Sequence, residues 1–477
     1  MEGKTLRAPA FFKNPLALAF SFCFLYWTYL LLTSRPYIKF DAEVFEALGK
    51  AIYQNGLAEF FKAEPNYVPL YPLLIALSMR LGNLLGVPYL SIQVVLQIGF
   101  LLAAQILILK ILRKLNVHPL LAAAVVLYFG ISPAMVNAAF SLYSEIATFP
   151  FVLWAVLAAA GGWRAIQEGP LKRIFIASLG LAIPFLFVTM ANAVFEYIFN
   201  FFLLAYFLFS LVFLARKEKT LFLRGIFFIA VTFVFFQSAL LPYRAMNLKY
   251  NGHKSLVIKG AWSLYANTER RTGELTPRQF LVAAAFIPGE GVCREIFGEK
   301  ECSFWSIGAQ HGVGMRKLNE LRAQGIPNSK IDSVLIGLSK EMALQKPLSY
   351  VLLTFMEALK MFFWESTKVG FVFYPAWLEK LYDITVFKNG LRFLFFILSF
   401  VAFICLKISL WKNKKRLAVR EDDGLQNSLL FFIFVMLTAF ILMHSFFCIA
   451  TRYTFPIVSL YLVTIGWALD KMIFKKL

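Results

Sequence analysis

The stretch NPLALAFSFCFLYWTYLLLT, residues 14–33, contains no charged residue and is the first long apolar run of the chain. A helix of about twenty apolar residues is long enough to cross the hydrocarbon core of a bilayer. A cleaved signal peptide would have a shorter apolar core followed by a small-residue cleavage site, which this stretch lacks. The sequence therefore predicts a retained first transmembrane helix.

The composition of the chain extends this interpretation to the whole protein. Hydrophobic residues make up 60% of the 477 positions and charged residues 16%, against about 25% charged in soluble domains. Nine further apolar segments are long enough to span, and we place them at 89–110, 119–137, 143–161, 174–191, 194–214, 225–242, 391–411, 428–448 and 454–470. The predicted fold is an all-α polytopic membrane protein, a bundle of about ten transmembrane helices with external surface helices and an external cap loop.

The orientation is predicted from the positions of Lys and Arg. They cluster near or between span ends at 4–13, 110–114, 164–173, 216–224, 412–420 and 471–476. All six clusters fall on one side if ten spans alternate, and the positive-inside rule places both termini in the cytoplasm. The net charge of +21 is then a topological signal with affinity for anionic membrane lipids, and dispersed basic loops argue against nucleic-acid binding.

The same topology divides the chain into three parts. Residues 1–242 form an N-terminal transmembrane module with an external loop at 34–88, residues 243–390 form an external cap with a juxtamembrane helix, and residues 391–477 form the C-terminal transmembrane helices. Within the cap, apolar residues at helical spacing predict a packed helix at about 330–345, stopped by Pro347.

Two cysteines lie in the predicted cap, within GVCREIFGEKECSFW. Cys293 and Cys302 stand alone in an external loop of a chain with only five cysteines. Such a pair predicts one disulfide that closes a small hairpin, and a pair of free thiols is the alternative.

The first external loop begins RPYIKFDAEVFEALGKAIYQNG, residues 35–56. Apolar residues from Val44 onward follow helical spacing, which predicts an amphipathic helix on the membrane surface. Asp41 stands where an N-cap belongs, and Glu43 falls in the first turn, where a carboxylate complements the helix dipole. Capping is one interpretation of Asp41 and catalysis is the other. A second, partly buried surface helix is predicted over residues 66–82.

Four elements together resemble a known family. They are Asp41 followed by the PLYP element at Pro69–Pro72, then SPAMVNAAFSLYSEIATFPFVLWA from Ser132, LLPYRAMNLKYNGHK from Leu240, and TRYTFPIVSLYLV from Thr451. The set is similar to the integral-membrane glycosyltransferases of the GT-C class, in particular the bacterial relatives of dolichyl-phosphate-mannose protein mannosyltransferases and the lipid A aminoarabinose transferase. The chain departs from the family pattern at Met246, where relatives often have Arg before Asn.

The resemblance implies a transferase that moves a sugar from a polyprenyl-phosphate donor to a lipid, glycan or protein acceptor on the external side. Such chemistry needs a base for the attacking hydroxyl and cations for the leaving phosphate. Asp41 suits the base, and Glu145 is the second catalytic acid because a charge at the membrane boundary needs a partner or a substrate. An ion pair with Arg35 or Lys39 is the structural alternative for Glu145.

Cations at the external face are the candidates for phosphate binding. Arg452 is favoured, because a guanidinium can hold phosphate in a bidentate way and this one begins an apolar span. The other candidates for substrate contacts are Arg244, Lys249, Lys360, Lys368, Glu43 and Tyr71.

The predicted chemistry requires no metal, although Asp41, Glu43 and Glu145 carry oxygen ligands that Mg²⁺ or Mn²⁺ would accept. We expect a bacterial inner-membrane protein whose active site faces the exterior. A lipid-linked sugar flippase or transporter and a polysaccharide polymerase or ligase are the rival functions. A transporter should show two similar halves and polar residues at the bilayer midplane, whereas the placed polar residues cluster at the external face.

Overall fold

Helices make up nearly all of the regular structure. The computed structural model describes residues 14–63, 67–257, 259–367, 371–412, 424–447 and 451–474. The first half contains α1 (Pro15–Thr33), α2 (Asp41–Asn55), α3 (Leu57–Lys62), α4 (Leu70–Leu85), α5 (Tyr89–Lys114), α6 (Pro119–Ile131), α7 (Pro133–Phe140), α8 (Glu145–Glu168), α9 (Leu171–Ala191), α10 (Phe195–Ala215) and α11 (Lys219–Asn251).

The second half continues with helices of very different length. They are α12 (Lys259–Thr272), α13 (Pro277–Ala285), α14 (Glu290–Phe297), α15 (Glu299–Ser303), α16 (Ile307–Ala323), α17 (Asn328–Gln345), α18 (Pro347–Lys360), α19 (Ala376–Asp383), α20 (Thr385–Lys412), α21 (Gly424–Phe447) and α22 (Phe455–Ile473). A 3₁₀ helix, Thr451–Thr454, precedes α22, and two short strands are β1 (Arg35–Pro36) and β2 (Val372–Phe373). The predicted Lys368, the whole basic cluster at 4–13 and parts of the clusters at 412–420 and 471–476 lie outside the described residues.

The membrane-spanning prediction agrees with these helices. Across the described ranges, nine helices are long and apolar enough to cross a bilayer, and the number is ten if α6 and α7, which meet at an angle of 47°, are counted together as one span. The bend falls at Ser132 and Pro133. Glu365 occupies it, since its carboxylate accepts hydrogen bonds from the Ser132 hydroxyl at 2.7 Å and the Ala134 backbone N–H at 3.1 Å. The protein is therefore an all-α polytopic membrane protein, and a buried carboxylate lies at the bend between α6 and α7.

The spans α8 and α22 are the most deeply buried of the described spans and form the centre of the bundle. α8 packs against α5, α9, α21 and α22. A buried amide on α5 fixes the end of α7, because Gln97 donates to the carbonyl oxygens of Ala139 at 2.7 Å and Ser141 at 2.9 Å. These contacts hold the connection between α7 and α8, residues 141–144, in one place.

α11 is longer than the predicted span, which ended at Pro242. The helix continues through this proline to Asn251 and ends at Gly252, whose φ of 72° is in the left-handed region. Proline removes only one helical hydrogen bond, and membrane helices tolerate that loss. The predicted domain boundary between residues 242 and 243 therefore lies inside a helix, and Arg244 and Lys249 lie on the extension of α11.

We call the end of the bundle that carries α2–α4 and α12–α19 the cap end. β1 and β2 pair there in antiparallel register, Arg35 with Phe373 and Pro36 with Val372. This pairing ties the exit of α1 to the segment that leads into α20. The first and the last third of the chain therefore meet at the cap end.

The cap itself contains two small hydrophobic clusters. Cys293 and Cys302 form a disulfide, with Cα atoms 6.0 Å apart, that joins α14 to α15 and packs beside Val282 and Trp305. The second cluster holds α17 on α12 and α16 through Ile331 and Leu335, as predicted for this helix. α17 ends at Gln345, and Pro347 then occupies the first position of α18.

Candidate functional site

The residue before Asp41 has an unusual backbone conformation. Phe40 has φ 53°, which is uncommon for a residue other than glycine. Phe40 is the N-cap of α2, and Asp41 is the first helical residue. The prediction that Asp41 is the N-cap was wrong by one position, because the turn at Phe40 starts the helix one residue earlier. The carboxylate of Asp41 is directed to partners outside α2.

Those partners come from distant parts of the chain. One carboxylate oxygen of Asp41 accepts a hydrogen bond from the Tyr67 hydroxyl at 2.7 Å. The other oxygen forms an ion pair with the guanidinium of Arg452, 411 residues away in sequence. Ionised hydrogen bonds of this kind are about twice as strong as neutral ones. The two residues that the sequence proposed as base and phosphate ligand are therefore in contact.

Aromatic rings surround the guanidinium of Arg452. Its central carbon lies 4.7 Å from the ring centroid of Tyr143 and 5.5 Å from that of Tyr453. Tyr143 in turn packs edge-on against Phe371, at 5.2 Å between centroids. A cation over aromatic faces is held in place without a full complement of anions. Arg452 is thus fixed in position from two sides.

Glu145 completes this group, which we call the Asp41 cluster: Asp41, Tyr67, Tyr143, Glu145 and Arg452. Glu145 is the first residue of α8, is 8% exposed, and lies within electrostatic range of Arg452. A carboxylate at a helix N-terminus also interacts favourably with the helix dipole. The cluster holds two carboxylates and one guanidinium.

The predicted alternative partners of Glu145 lie elsewhere. Arg35 stacks over the Phe373 ring at 5.3 Å, and Lys39 lies over the Tyr37 ring at 4.8 Å. Arg452 is a cation that interacts electrostatically with Glu145. The Arg452 guanidinium therefore interacts with both Asp41 of α2 and Glu145 of α8.

An aromatic ring of α2 packs against the tyrosine that binds Asp41 and against a buried tyrosine of α4. Phe45 packs against Tyr67 at 4.7 Å and against Tyr71 at 5.0 Å between centroids. Tyr71 is fully buried, and its hydroxyl donates to Gln97. Tyr71, predicted as a substrate contact, therefore lies behind Phe45 and beside the α5 amide that fixes residues 139–141.

The tyrosine hydroxyls of the cluster remain protonated. Burial raises the pKa of Tyr67, and the neighbouring Asp41 carboxylate raises it further. Burial also raises the pKa of Tyr143, although the Arg452 charge acts in the opposite direction. Tyr67 is accordingly a permanent hydrogen-bond donor to Asp41 at neutral pH.

Three other predicted residues lie apart from these contacts. Glu43 is exposed on α2, on a different side of the helix from Asp41. Arg244 forms an ion pair with Glu196 and donates to Gln237 at 2.8 Å. Lys249 is exposed in the last turn of α11, over the ring of Tyr250. The structure places none of the three in contact with Asp41 or Arg452.

Lys360 belongs to a second ionic group, the Lys360 cluster: Arg270, Arg271, Glu357 and Lys360. All four residues are buried. Lys360 donates to Glu357 at 2.6 Å and lies over the ring of Phe286 at 4.7 Å. Arg271 donates to the Ser445 carbonyl at 2.7 Å and to the Thr354 hydroxyl at 2.9 Å. This cluster joins α12, α18 and the end of α21.

The structure does not gather the three acids considered as metal ligands. Within the described part of the chain, no three His, Cys, Asp or Glu side chains converge in a way that could hold a metal ion. Glu43 lies on a different side of α2 from Asp41. Asp41, Glu145 and Arg452 are the charged groups of the Asp41 cluster.

Sequence reasoning missed several residues of both clusters. Tyr67 lies in the loop before α4, 26 residues from Asp41. Tyr143 precedes Glu145 by two positions, so proximity to a predicted acid was an available signal for Tyr143 alone. Arg270 and Arg271 form an adjacent pair at the end of an amphipathic segment in the predicted cap. Such pairs are common on exposed loops, and their burial depends on tertiary packing.

No protein-family model matches the chain, and no curated protein matches it. The geometry of the two clusters and the motifs of the sequence therefore carry the functional argument.

Proposed function

We propose that the protein is a polyprenyl-phosphate-sugar-dependent glycosyltransferase that moves a hexose or pentose to an acceptor on the external face of the membrane. The contact between Asp41 and Arg452 at the cap end carries the proposal. It brings a carboxylate able to accept a proton beside a guanidinium able to hold a phosphate. The motif resemblance to GT-C enzymes supports the same assignment.

In the proposed reaction, an acceptor hydroxyl attacks the anomeric carbon of the donor sugar. The bond from this carbon to the phosphate oxygen breaks, and the electron pair leaves with the polyprenyl phosphate. Asp41 takes the proton of the attacking hydroxyl. Arg452 stabilises the charge on the departing phosphate.

The ion pair suggests how the site responds to substrate. Arg452 is shared between Asp41 and Glu145, and a phosphate oxygen would compete with both carboxylates for the guanidinium. When the phosphate takes the position of Asp41, the carboxylate is released toward the acceptor hydroxyl. Tyr67 keeps it oriented through the remaining hydrogen bond. Glu145 continues to attract the guanidinium electrostatically.

The setting of the proposed reaction follows from the topology. Basic loops at the opposite end of the bundle favour cytoplasmic termini and a cap end outside the cell, and a bacterial inner membrane is the proposed location. The donor would reach the site from the bilayer. The acceptor, whether lipid, glycan or protein, would approach from the aqueous side.

The direct test uses purified protein in lipid vesicles with a radiolabelled polyprenyl-phosphate sugar. We expect label to move to an acceptor fraction from the native envelope, with release of unlabelled polyprenyl phosphate. Mass spectrometry of envelope lipids and glycans from cells with and without the gene would identify the product. Movement of intact labelled donor between leaflets, without bond cleavage, would instead favour a flippase.

A polymerase or ligase would give a different result in the same assay. It uses a lipid-diphosphate donor and releases polyprenyl diphosphate. Activity with the diphosphate donor and none with the monophosphate donor would therefore replace the present proposal.

A further inference from the structure

α18 exposes its apolar residues and buries its charged residues, which is the opposite of the usual arrangement in a water-exposed helix. Its exposed side consists of Leu348, Val351, Leu352 and Phe355, which are 82%, 63%, 45% and 63% exposed. Its two charged residues, Glu357 and Lys360, are buried. The exposed side chains follow the i, i+3, i+4, i+7 spacing of one helix face. This face has no charge.

The preceding helix of the same cap has a mixed exposed side. α17 exposes the charged residues Lys330, Lys340 and Glu341 as well as Ile336 and Leu344. The two helices are separated by a single residue and share the same packing partner, α12. Charges therefore interrupt the exposed surface of α17, whereas the exposed face of α18 is apolar throughout.

Contacts with α21 fix the height of α18 on the bundle. The ring of Tyr350 stacks on Phe446 with 6.4 Å between centroids, and Arg271 bridges Thr354 of α18 to the Ser445 carbonyl. Both contacts lie within the last three residues of a membrane span. Leu442 and Phe446 are 43% and 38% exposed. They extend the exposed apolar surface of α21 as far as α18.

The other end of α18 leads to a second span. Phe363 stacks on Phe396 of α20 with 4.0 Å between centroids. Phe393 and Ile397, 42% and 55% exposed, form the apolar surface of α20 beside this contact. The exposed face of α18 thus lies between the apolar surfaces of two spans, at the depth where α21 ends.

We propose that α18 is an in-plane membrane helix whose apolar face is inserted among the acyl chains of the leaflet at the cap end. Amphipathic helices in this position bury their apolar face about 5–10 Å into the boundary between headgroups and chains. A recess of about 410 Å³ lined by Thr276, Lys346 and Ser349 adjoins the first turn of α18. Its polar groups lie where the headgroups of the contacting lipids would be.

The test places a nitroxide on the exposed face of α18. Leu352→Cys is labelled in a background with Cys405 and Cys448 replaced by Ser, in nanodiscs of phosphatidylethanolamine and phosphatidylglycerol. Leu394→Cys on α20 is the lipid-exposed control, and Lys340→Cys on α17 is the water-exposed control. We expect oxygen to relax the label at 352 several-fold more than a water-soluble nickel chelate does, as at 394. The order of the two reagents should reverse at 340.

Two results would overturn the proposal. One is a label at 352 that responds like the label at 340, which would place α18 in water. The other is spin–spin coupling at 352 in discs with two copies of the chain, absent in discs with one copy, which would make the face an interface between copies. Native elution and melting temperature of each labelled variant show that the fold is kept.

Discussion

The Asp41 cluster and the Lys360 cluster are two ionic groups at the same end of one bundle, and they differ in what surrounds the charges. The side chains of Asp41 and Arg452 are each 23% exposed, against 9% and 10% for Glu357 and Lys360. Tyrosine rings and a hydroxyl line the first group. Backbone carbonyls and neighbouring helices close the second.

The difference separates two uses of buried charge. The solvent-accessible pair of Asp41 and Arg452 can exchange one partner for an incoming anion. The Lys360 cluster is closed to solvent, and its arginines already donate to backbone carbonyls, so it has no room for an anion. Removing one partner of a closed pair leaves a buried, uncompensated charge and destabilises the fold. Substitutions in the Asp41 cluster should therefore change turnover, and substitutions in the Lys360 cluster should change stability.

The largest expected effect belongs to Asp41→Asn. Asparagine keeps the size of the side chain and can accept the Tyr67 hydrogen bond, but it cannot take a proton. We expect turnover in the vesicle assay to fall about 10²-fold or more, while the melting temperature changes little. Steady-state rates and thermal unfolding of the purified variant measure both quantities.

Glu43→Gln is the matched control, because it makes the same charge change two residues away on another side of α2. It should leave turnover within about two-fold, since exposed single charges contribute little. If Asp41→Asn transfers sugar at a near-normal rate, the base must be sought at Glu145.

The second prediction addresses the closed cluster. Glu357→Gln removes the only acid from a buried group with three cations, and we expect the free energy of unfolding to fall by about 3 kcal/mol. Lys360→Met should cost less, because Glu357 keeps two arginines nearby. Chemical denaturation in detergent measures both, and kcat of the folded fraction should be unchanged. A loss of donor affinity with normal stability would move the Lys360 cluster into the substrate site.

These two clusters also show what the sequence could predict. The spans follow from apolar runs and were placed to within a few residues at most ends, because membrane burial acts on local composition. Asp41, Glu145 and Arg452 were identified as candidates because each is a charge at a span boundary. The contact between Asp41 and Arg452 joins residues 411 positions apart, and it depends on how the spans pack, which no local pattern encodes.

The same limit applies to Lys360 and to the end of α11. Lys360 is predicted among the cations of the external face, and the structure places it in a buried ion pair with Glu357. Its burial comes from α12 and α21, which are distant in sequence. α11 extends past the predicted span end at Pro242, because a proline is tolerated within a long membrane helix.

Arg452→Lys gives the third prediction. Lysine keeps the charge but loses the planar, bidentate geometry and the stacking on Tyr143 and Tyr453. We expect kcat/KM for the donor to fall about ten-fold, a loss of roughly 1.4 kcal/mol in transition-state stabilisation. Arg244→Lys, whose guanidinium pairs with Glu196 instead, is the control and should change kcat/KM little. Equal losses in the two variants would mean that the effect is general and that Arg452 has no special role.

The fourth prediction concerns the stability of the protein at acidic pH. Burial alone would raise the pKa of Glu357, but the charges of Lys360, Arg271 and Arg270 together lower it below its ordinary value of 4.5. A carboxyl with a lowered folded-state pKa contributes stability above its unfolded pKa and loses it as the pH falls through the folded pKa. Melting temperature should therefore drop more steeply below pH 4.5 in the native protein than in Glu357→Gln. Parallel curves would show that this carboxyl is not coupled to the cations.

The smallest effect is expected for Tyr67→Phe, which removes one hydrogen bond from Asp41 and keeps the ring against Phe45. Tyr67 positions the proposed base without touching the reacting atoms, so kcat should fall a few-fold, in keeping with a loss of about 1 kcal/mol, and KM for the donor should stay the same. Tyr89→Phe is the matched control, since Tyr89 donates to Glu46 on the same helix but away from Arg452. A purely structural role for Tyr67 would lower stability equally in both variants and leave kcat of the folded protein unchanged. A selective fall in kcat for Tyr67→Phe would show that turnover depends on the orientation of the Asp41 carboxylate. One hydroxyl of the Asp41 cluster would then affect catalysis, whereas the Lys360 cluster affects only stability.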